Sequence, residues 1–462
     1  MTASVTDSAA SLQSLTTAAT DAITVTVNDA ATIAQFNAID LVTGSNVVLT
    51  GGLTDAVANL VSGGAATAGL TAATTQDADV AITVTDAVTI AELAVIDALT
   101  TGTLTYTTIA DTAANLATNS GGYVSGTVAV TVNDAATIAQ LTSIDNFTSG
   151  TVTYTSMTDT VSNLTTNTGN YVNDTIDPNV AVSDAASISQ LAAIDTANGT
   201  GTVTATSVTD AAATLVTNSG GYLNTTADPN VTINDAATVA QYNTINGYTD
   251  GTITFSISDT VANLTGEVVS GATSVTAVVQ SGDTDLTNDT LDGNVDTIDL
   301  GSLSTTLSVA QAQLSLTNAG ASTTVQLNSG GGDANLYGVT FDTDVTAIDI
   351  NSQNATLDTT QIGKTLSNIG SVKLQLDGTG YSGGSNIAVT KVDTIDIDDG
   401  TEITALSAPV AASLDDVDTA GEWYFSNAID LLIYHNGSTA ISMTLSGASS
   451  VTSDGDDTFT VA

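Results

Sequence analysis

The residues best placed to do chemistry in this sequence are carboxylates that recur at fixed intervals. Asp29, Asp86, Asp134, Asp184 and Asp235 each sit in a copy of one motif, written out at Val130-Thr-Val-Asn-Asp134-Ala-Ala-Thr-Ile-Ala-Gln140. They recur roughly every 50 residues, a repeat-array period. A second motif is clearest at Thr151-Val-Thr-Tyr-Thr-Ser-Met-Thr-Asp159-Thr-Val-Ser-Asn-Leu164. Its relatives are centred on Asp55, Asp111, Asp210 and Asp259, each half a repeat behind a first-motif aspartate. Carboxylates without basic partners have two ordinary uses. They accept hydrogen bonds from the free N–H groups at a helix start, or they bind hard cations such as Ca²⁺. An aspartate directly ahead of an Ala-rich run fits the first use, so the repeat aspartates read as N-caps.

Loop clusters fit the second use. Asp177-Pro-Asn179 and Asp228-Pro-Asn230 occupy the same place in successive repeats, with Asp77-x-Asp79 as a candidate counterpart. Oxygen ligands gathered on a turn suit calcium, and a solvated Asx-turn with Pro fixing its geometry suits the same residues equally. The densest run is Asp283-x-Asp285-x-x-Asn288-Asp289-x-x-Asp292-x-Asn294-x-Asp296, whose oxygen-bearing side chains could supply a full ligand set from one stretch of chain. It is the first choice for a metal site, one that would stiffen a domain junction. Asp393, Asp396, Asp398, Asp399 and Glu402 form a second cluster, and Asp415, Asp416 and Asp418 a third. The competing reading of both is an acidic strand edge that discourages unwanted pairing.

Composition supports calcium as the expected cofactor and excludes much else. The 462 residues include 49 acidic side chains, three lysines (Lys364, Lys373 and Lys391), one histidine, no arginine and no cysteine, for a net charge of −46. Mean hydropathy is nevertheless +0.24, so the chain can bury a core and does not read as disordered. Nucleic acid needs Lys and Arg to displace counterions from phosphates, and phosphate chemistry needs a cationic clamp. Thiol chemistry and structural zinc lack their ligands. No apolar run approaches the roughly 18–20 residues of a membrane span, so neither nucleic acid nor membrane insertion is expected. The first residues carry neither a basic n-region nor an apolar h-region, so they are not expected to form a signal peptide. Val5-Thr-Asp7-Ser-Ala-Ala-Ser-Leu12 matches the second motif without a first motif ahead of it, as if the array were cut there or Met1 were an artificial start. His435 has no partner to make it a catalytic base. Glu422-Trp423-Tyr-Phe425 reads as packing rather than glycan binding. With 4% aromatic residues there is little to line a sugar-processing groove, and no enzyme is expected.

The elements that must position these carboxylates follow from periodicity. Each half-repeat of about 25 residues is a solenoid-range period. It opens with an alternating run such as Val152-Thr-Tyr154, which is strand periodicity in β-favouring residues. An Asp follows, then one or two turns of helix with Ile138 and Leu141 three apart, and a Gly-Thr turn, as at Gly102-Thr103, Gly150-Thr151 and Gly251-Thr252. Residues 1–266 are predicted to be a mainly β repeat solenoid of strand–short helix units, about five repeats with the first truncated. Val130–Val132 and Val152–Tyr154 should lie in one sheet or in adjacent sheets, with Tyr106 and Tyr154 in register. From about Glu267 to 462 the signature changes to Asn294-Val-Asp-Thr-Ile-Asp-Leu300, Asp344-Val-Thr-Ala-Ile-Asp-Ile350 and Lys391-Val-Asp-Thr-Ile-Asp-Ile397, separated by Gly-, Ser- and Asn-rich turns. This region reads as all-β and β-helix- or β-roll-like.

Thr287-Asn-Asp-Thr-Leu-Asp-Gly293 and Asp454-Gly-Asp-Asp-Thr-Phe-Thr-Val461 resemble degenerate copies of the calcium-binding nonapeptide repeat of RTX proteins. More widely, the Thr/Ala/Val/Asp/Gly-dominated chain with its Val-Asp-Thr-Ile-Asp strands resembles bacterial surface-layer proteins and giant surface proteins exported by type I secretion. The resemblance implies an extracellular, cell-surface β-helical component assembled with Ca²⁺. The expected function is a non-enzymatic structural one: a surface-layer lattice or filament subunit, or a segment of an adhesin. Its main partner would be itself, with cell-surface polysaccharide as a further candidate. The alternative is a receptor- or glycan-binding fibre such as a phage tail fibre.

Overall fold

The computed structural model describes residues 3–367 except 18–19, 267–269, 283, 292, 328–333, 352–353, 359–360 and 362–363. Beyond 367 it describes Ser450 and the strands Val372–Gln375, Asn386–Ala388, Thr394–Asp396, Trp423–Ser426, Leu431–His435, Ala440–Ser446, Val451–Ser453 and Thr458–Val461. The chain divides into two compact units, Met1–Asn234 with Thr244–Ile253, and Asp235–Asn243 with Thr254–Ala462.

In the first unit the alternation of Val or Ile with Thr produces strands that bury one parity. Val25, Val27, Val130 and Val132 are buried while the threonines between them are more exposed. β-Branched residues at both parities favour the extended backbone. Apart from the short antiparallel pair Val61–Ser62 and Ala65–Ala66, the paired strands run in parallel, each with a strand one half-repeat away. Thr108–Asp111 pairs with Ala129–Val132, Val130 with Val152, Ser156 with Asn179 and Ser207 with Asn230. Val130–Val132 and Val152 thus share one sheet, one of the two placements the sequence leaves open. Parallel neighbours need a crossover, and the short helices supply it.

Each first-motif helix is started by a capping box, in which a side chain and the backbone satisfy each other's free N–H groups. Thr137 accepts from the Gln140 N–H while the Gln140 side chain accepts from the Thr137 N–H, opening the helix Ile138–Phe147. The same pairing recurs at Thr32/Gln35, Thr89/Glu92 and Ser187/Gln190. Ile138, Leu141 and Ile144 form the buried stripe. The helix ends on Thr148, whose hydroxyl donates to Val128 O at 2.6 Å and accepts from Gly150 N–H at 2.9 Å. Thr43, Thr100 and Thr249 repeat that turn. Gly150 is required by proximity, not by backbone handedness: a Cβ there would lie 2.3 Å from Val128 O.

In the second unit, beyond the helix Val261–Leu264, the described elements are strands, with helical turns at Gln311–Gln313 and at Gln361. Successive strands are dealt alternately to two parallel ladders. Val275–Val278, Thr297–Asp299 and Ser315–Thr317 form one; Thr305–Leu307, Thr323–Gln326, Ala347–Asp349 and Thr365–Ser367 form the other. A third ladder then takes over, with Ala334–Asn335, Ala355–Leu357, Val372–Gln375 and Thr394–Asp396. Ile298, Ile348 and Ile395, spaced alike in sequence, therefore fall in three different ladders. Their interval is longer than two strand-to-strand steps, even when the step is as long as that from Val325 to Ile348. The end of the chain departs from the parallel pattern expected of a β-roll. Thr458–Val461 pairs antiparallel with Thr394–Asp396, and Leu431–His435 pairs antiparallel with both Trp423–Ser426 and Ala440–Ser446. Trp423 meets buried Phe459 edge to face at 5.3 Å and is itself buried, so this ring of the cluster packs.

Candidate functional site

The repeat aspartates form a ladder of carboxylates, and their targets correct the sequence reading. None of the first-motif aspartates with a described bond caps the helix that follows it; Thr32, Thr89, Thr137 and Ser187 hold that position. Each reaches the helix of the preceding half-repeat instead. Asp29 Oδ1 accepts from Ala9 N–H at 2.6 Å, Asp86 from Val57 at 2.7 Å, Asp134 from Ala113 at 2.6 Å and Asp184 from Val161 at 2.6 Å. Every donor is the first residue of its helix. At Asp184 the strand bulges. The pairing of Asn179–Ala186 with Val203–Asp210 shifts between Val182 and Ala185, which leaves Ser183 and Asp184 out of the ladder and re-aims the carboxylate.

The second-motif aspartates do the same from a strand end, and are held more tightly. Asp159 Oδ2 accepts from Ile138 N–H at 2.9 Å, while Oδ1 accepts from Thr160 N–H at 2.8 Å and Asn163 Nδ2 at 2.7 Å. Asp55 and Asp111 carry the same three donors. Asp210 has two of them, from Ile188 and Ala211. In the second unit Asp259 takes Val239 N–H, Thr260 N–H and Asn263 Nδ2. Asp55, Asp111, Asp159 and Asp259 are all buried. A carboxylate offers about four lone-pair positions, so three charge-assisted bonds on a buried group make a structural acceptor. Each also places negative charge at the positive end of a helix.

The loop candidates are engaged with the chain as well. Asp177 takes both the backbone N–H and the hydroxyl of Thr200, at 2.9 and 2.8 Å, and those bonds hold its carboxyl below the usual carboxylate range. Asn179 Oδ1 accepts from the Thr202 hydroxyl at 2.6 Å. In the next repeat Asp228 accepts from Asp250 N–H at 3.2 Å and Asn230 from Thr252 N–H at 3.0 Å. Asp77 accepts from Leu49 N–H at 2.6 Å. Burial raises its carboxyl, the Leu49 bond opposes that, and neighbouring Asp79 adds to the rise.

Of the acidic run around Asp289, Asp285 turns back on Thr287, and Asp296 Oδ2 accepts from Val275 N–H at 3.0 Å. Asn288, Asp289 and Asn294 lie on the turns between those two. A groove of about 590 Å³ passes Thr287, Asp289, Ser308 and Leu314. Asp283, Asp292, Asp393, Asp398, Asp399, Glu402, Asp415, Asp416 and Asp418 lie outside the described residues; Asp396 is described only as the end of its strand. Among the described residues no three Asp, Glu or His side chains gather to hold a metal ion.

Two recurring devices escaped the sequence reading. Asn119-Ser-Gly-Gly-Tyr123-Val124 recurs at Asn167–Val172 and Asn218–Leu223, a signal visible as one copy in each of three successive repeats. Each Asn ends a helix in the left-handed region, at φ 47, 48 and 42°, and its amide brackets the backbone of the residue that closes the motif, as Asn119 does at Val124 with 2.9 and 2.8 Å bonds. The tyrosines then donate to helix aspartates: Tyr123 to Asp97 at 3.2 Å, Tyr171 to Asp145 at 3.4 Å and Tyr222 to Asp195 at 3.1 Å. In the second unit, buried Gln311 donates to Leu286 O and Asp289 O. Gln361, which follows Ile348 as Gln311 follows Ile298, donates to Leu336 O and Val339 O. These bonds join segments about one half-repeat apart in sequence. Comparison with protein-family models, curated proteins and solved structures finds no match to this chain.

Proposed function

We propose that this chain is a non-enzymatic structural protein of the bacterial cell surface, a piece of a surface-layer lattice, an extracellular filament or a giant adhesin. In this reading residues 1–266 are a solenoid of strand–short helix units and 267–462 a β-helix-like continuation, reached by type I secretion. The observation that carries it is the repeated inter-repeat bond typified by Asp159 and Ile138. Such a bond in successive half-repeats, on top of parallel pairing, resists shear between neighbours, which is what a mechanical element requires.

Calcium belongs to this reading as a bridge between copies. The surface is acidic, and the three lysines cannot supply intermolecular salt bridges; one of them, Lys364, already donates to Val345 O at 2.7 Å. One Ca²⁺ can take carboxylate and carbonyl oxygens from two chains. The test follows particle size and circular dichroism together while EGTA is added. Size should fall before secondary structure does. Assemblies that persist unchanged in EGTA would overturn calcium bridging, and a defined trimer by light scattering would favour a fibre.

A further inference from the structure

Two of the repeat helices end on an Asn-Gly pair, and the fold treats the two pairs differently. Asn198 closes Ile188–Asn198, and Asn246 closes Val239–Asn246. Asn198 is fully buried, and its Nδ2 donates to Pro178 O at 2.8 Å. Asn246 and Gly247 are exposed, and the Asn246 side chain makes no hydrogen bond among the described residues. Asn246 also stands where its counterparts carry an acid. Asp40, Asp97, Asp145 and Asp195 each follow a buried isoleucine on a first-motif helix, as Asn246 follows buried Ile245. Each of those carboxylates is engaged by a later segment of chain: Gln76 donates to Asp40 at 2.6 Å, and Tyr123, Tyr171 and Tyr222 donate to the other three.

We propose that Asn246 is a site of spontaneous deamidation and that Asn198 is protected from the same reaction. The nitrogen of Gly247 attacks Cγ of Asn246, an approach that no Cβ on the glycine obstructs. A Gly247 N–Cγ bond forms, the Cγ–Nδ2 bond breaks, and the amide group leaves as ammonia with the glycine's proton. Water then opens the resulting succinimide at either carbonyl, leaving aspartate or isoaspartate. No oxidant, reductant or enzyme is needed. Asn246 is the last helical residue, and helix ends fray, which lets the Gly247 nitrogen reach Cγ. Exposure admits the water that opens the ring. At Asn198 the leaving amide is held by Pro178 O and the side chain is closed to solvent. Opening to aspartate gives this helix the acid that its four counterparts carry; opening to isoaspartate lengthens the main chain just ahead of the turn in which Tyr248 N–H donates to Ile245 O at 2.9 Å. The conversion runs one way, so the modified fraction records the age of the molecule.

The test incubates the folded chain and the chain unfolded in guanidinium side by side at neutral pH, until the Asn246 fragment of the unfolded sample has converted. Both samples are then cleaved and their fragments weighed by mass spectrometry, with circular dichroism confirming that the folded sample stayed folded. The unfolded chain should show the amide-to-acid mass shift at both Asn198 and Asn246. The folded chain should show it at Asn246 and not at Asn198. Asn246→Gln, whose longer side chain cannot close the five-membered ring, should abolish the shift in that fragment of the folded chain. A folded chain in which Asn246 keeps its amide, or in which Asn198 converts as fast as Asn246, overturns the proposal. So does a shift in the same fragment that survives Asn246→Gln, because it would then arise at another residue.

Discussion

Asp159 Oδ2 lies 2.9 Å from the backbone nitrogen of Ile138, in the preceding half-repeat. The bond joins two half-repeats, not two parts of one. Removing the carboxylate leaves the Ile138 N–H and the Asn163 amide without their buried acceptor. A hydrogen bond to a charged group contributes about 1.5–3 kcal/mol, so Asp159→Ala is expected to destabilise by about 2–3 kcal/mol in chemical denaturation. The loss should be the same with Ca²⁺ or with EGTA. An unchanged midpoint, or a loss seen only with calcium, would refute the structural assignment.

Ala211 and Thr160 occupy the same helix start. Thr160 Oγ1 accepts from Asn163 N–H at 3.4 Å, while Ala211 offers no side-chain cap. The bond is long, so Ala211→Thr should stabilise at the low end of the capping range, about 0.5 kcal/mol. A decrease in stability would mean that the site cannot accept the Thr rotamer.

Asn198 marks the turn that departs from the Thr43, Thr100, Thr148 and Thr249 pattern. Its Nδ2 donates to Pro178 O at 2.8 Å in the role of the Thr148 hydroxyl, but its buried Oδ1 has no partner. Gly199 is an added residue relative to the turn after Thr148. Asn198→Thr combined with deletion of Gly199 restores the common turn and removes a buried unsatisfied acceptor. The expected gain is about 1 kcal/mol, read from the thermal midpoint at constant pH.

Asp77 is held above its ordinary value of 3.8 by burial first, against the Leu49 N–H, with Asp79 adding to the rise. A raised folded pKa favours the protonated form. Its stabilising contribution is full below 3.8 and is lost as pH rises through the folded value. Asp77→Asn keeps an acceptor for Leu49 and removes the charge. It should raise the melting temperature at neutral pH and lose that advantage below pH 3.8. A gain independent of pH would refute the charge argument.

Tyr154 and Tyr222 are pushed up to about 12 from 10.0. Burial is the larger cause for both, aided at Tyr154 by Tyr171 and Asp145, and at Tyr222 by its bond to Asp195. Tyr154 donates to Tyr171 O at 2.6 Å, a bond that ionisation destroys. The raised values stabilise the fold below pH 10, and that contribution is lost as pH climbs from 10 towards 12. Ultraviolet titration should show these phenols ionising above pH 10 and together with unfolding. In Tyr154→Phe the alkaline decline should be shallower; an identical decline would show that Tyr154 does not contribute.

The local grammar of the first unit was legible because it is written within a few residues. Alternating Val and Thr specify Ala129–Val132, Ile138 and Leu141 mark the buried helix stripe, and Gly150 marks the turn. The repeat interval placed Val130 and Val152 in one sheet or in adjacent sheets, and only the structure shows them paired. The destination of the aspartates was not legible. Asp134 stands directly ahead of one helix in sequence, and only the parallel pairing brings it to another, at Ala113. The physical reason is that its donor is a backbone N–H, which every residue but proline carries, so no side-chain identity marks it. The same holds for the carbonyls that Gln311 and Gln361 grasp, and for the three ladders that separate Ile298, Ile348 and Ile395. Composition determined that acid had to be satisfied without Lys or Arg; tertiary stacking decided that, for Asp159 and its counterparts, the backbone of the neighbouring half-repeat does it.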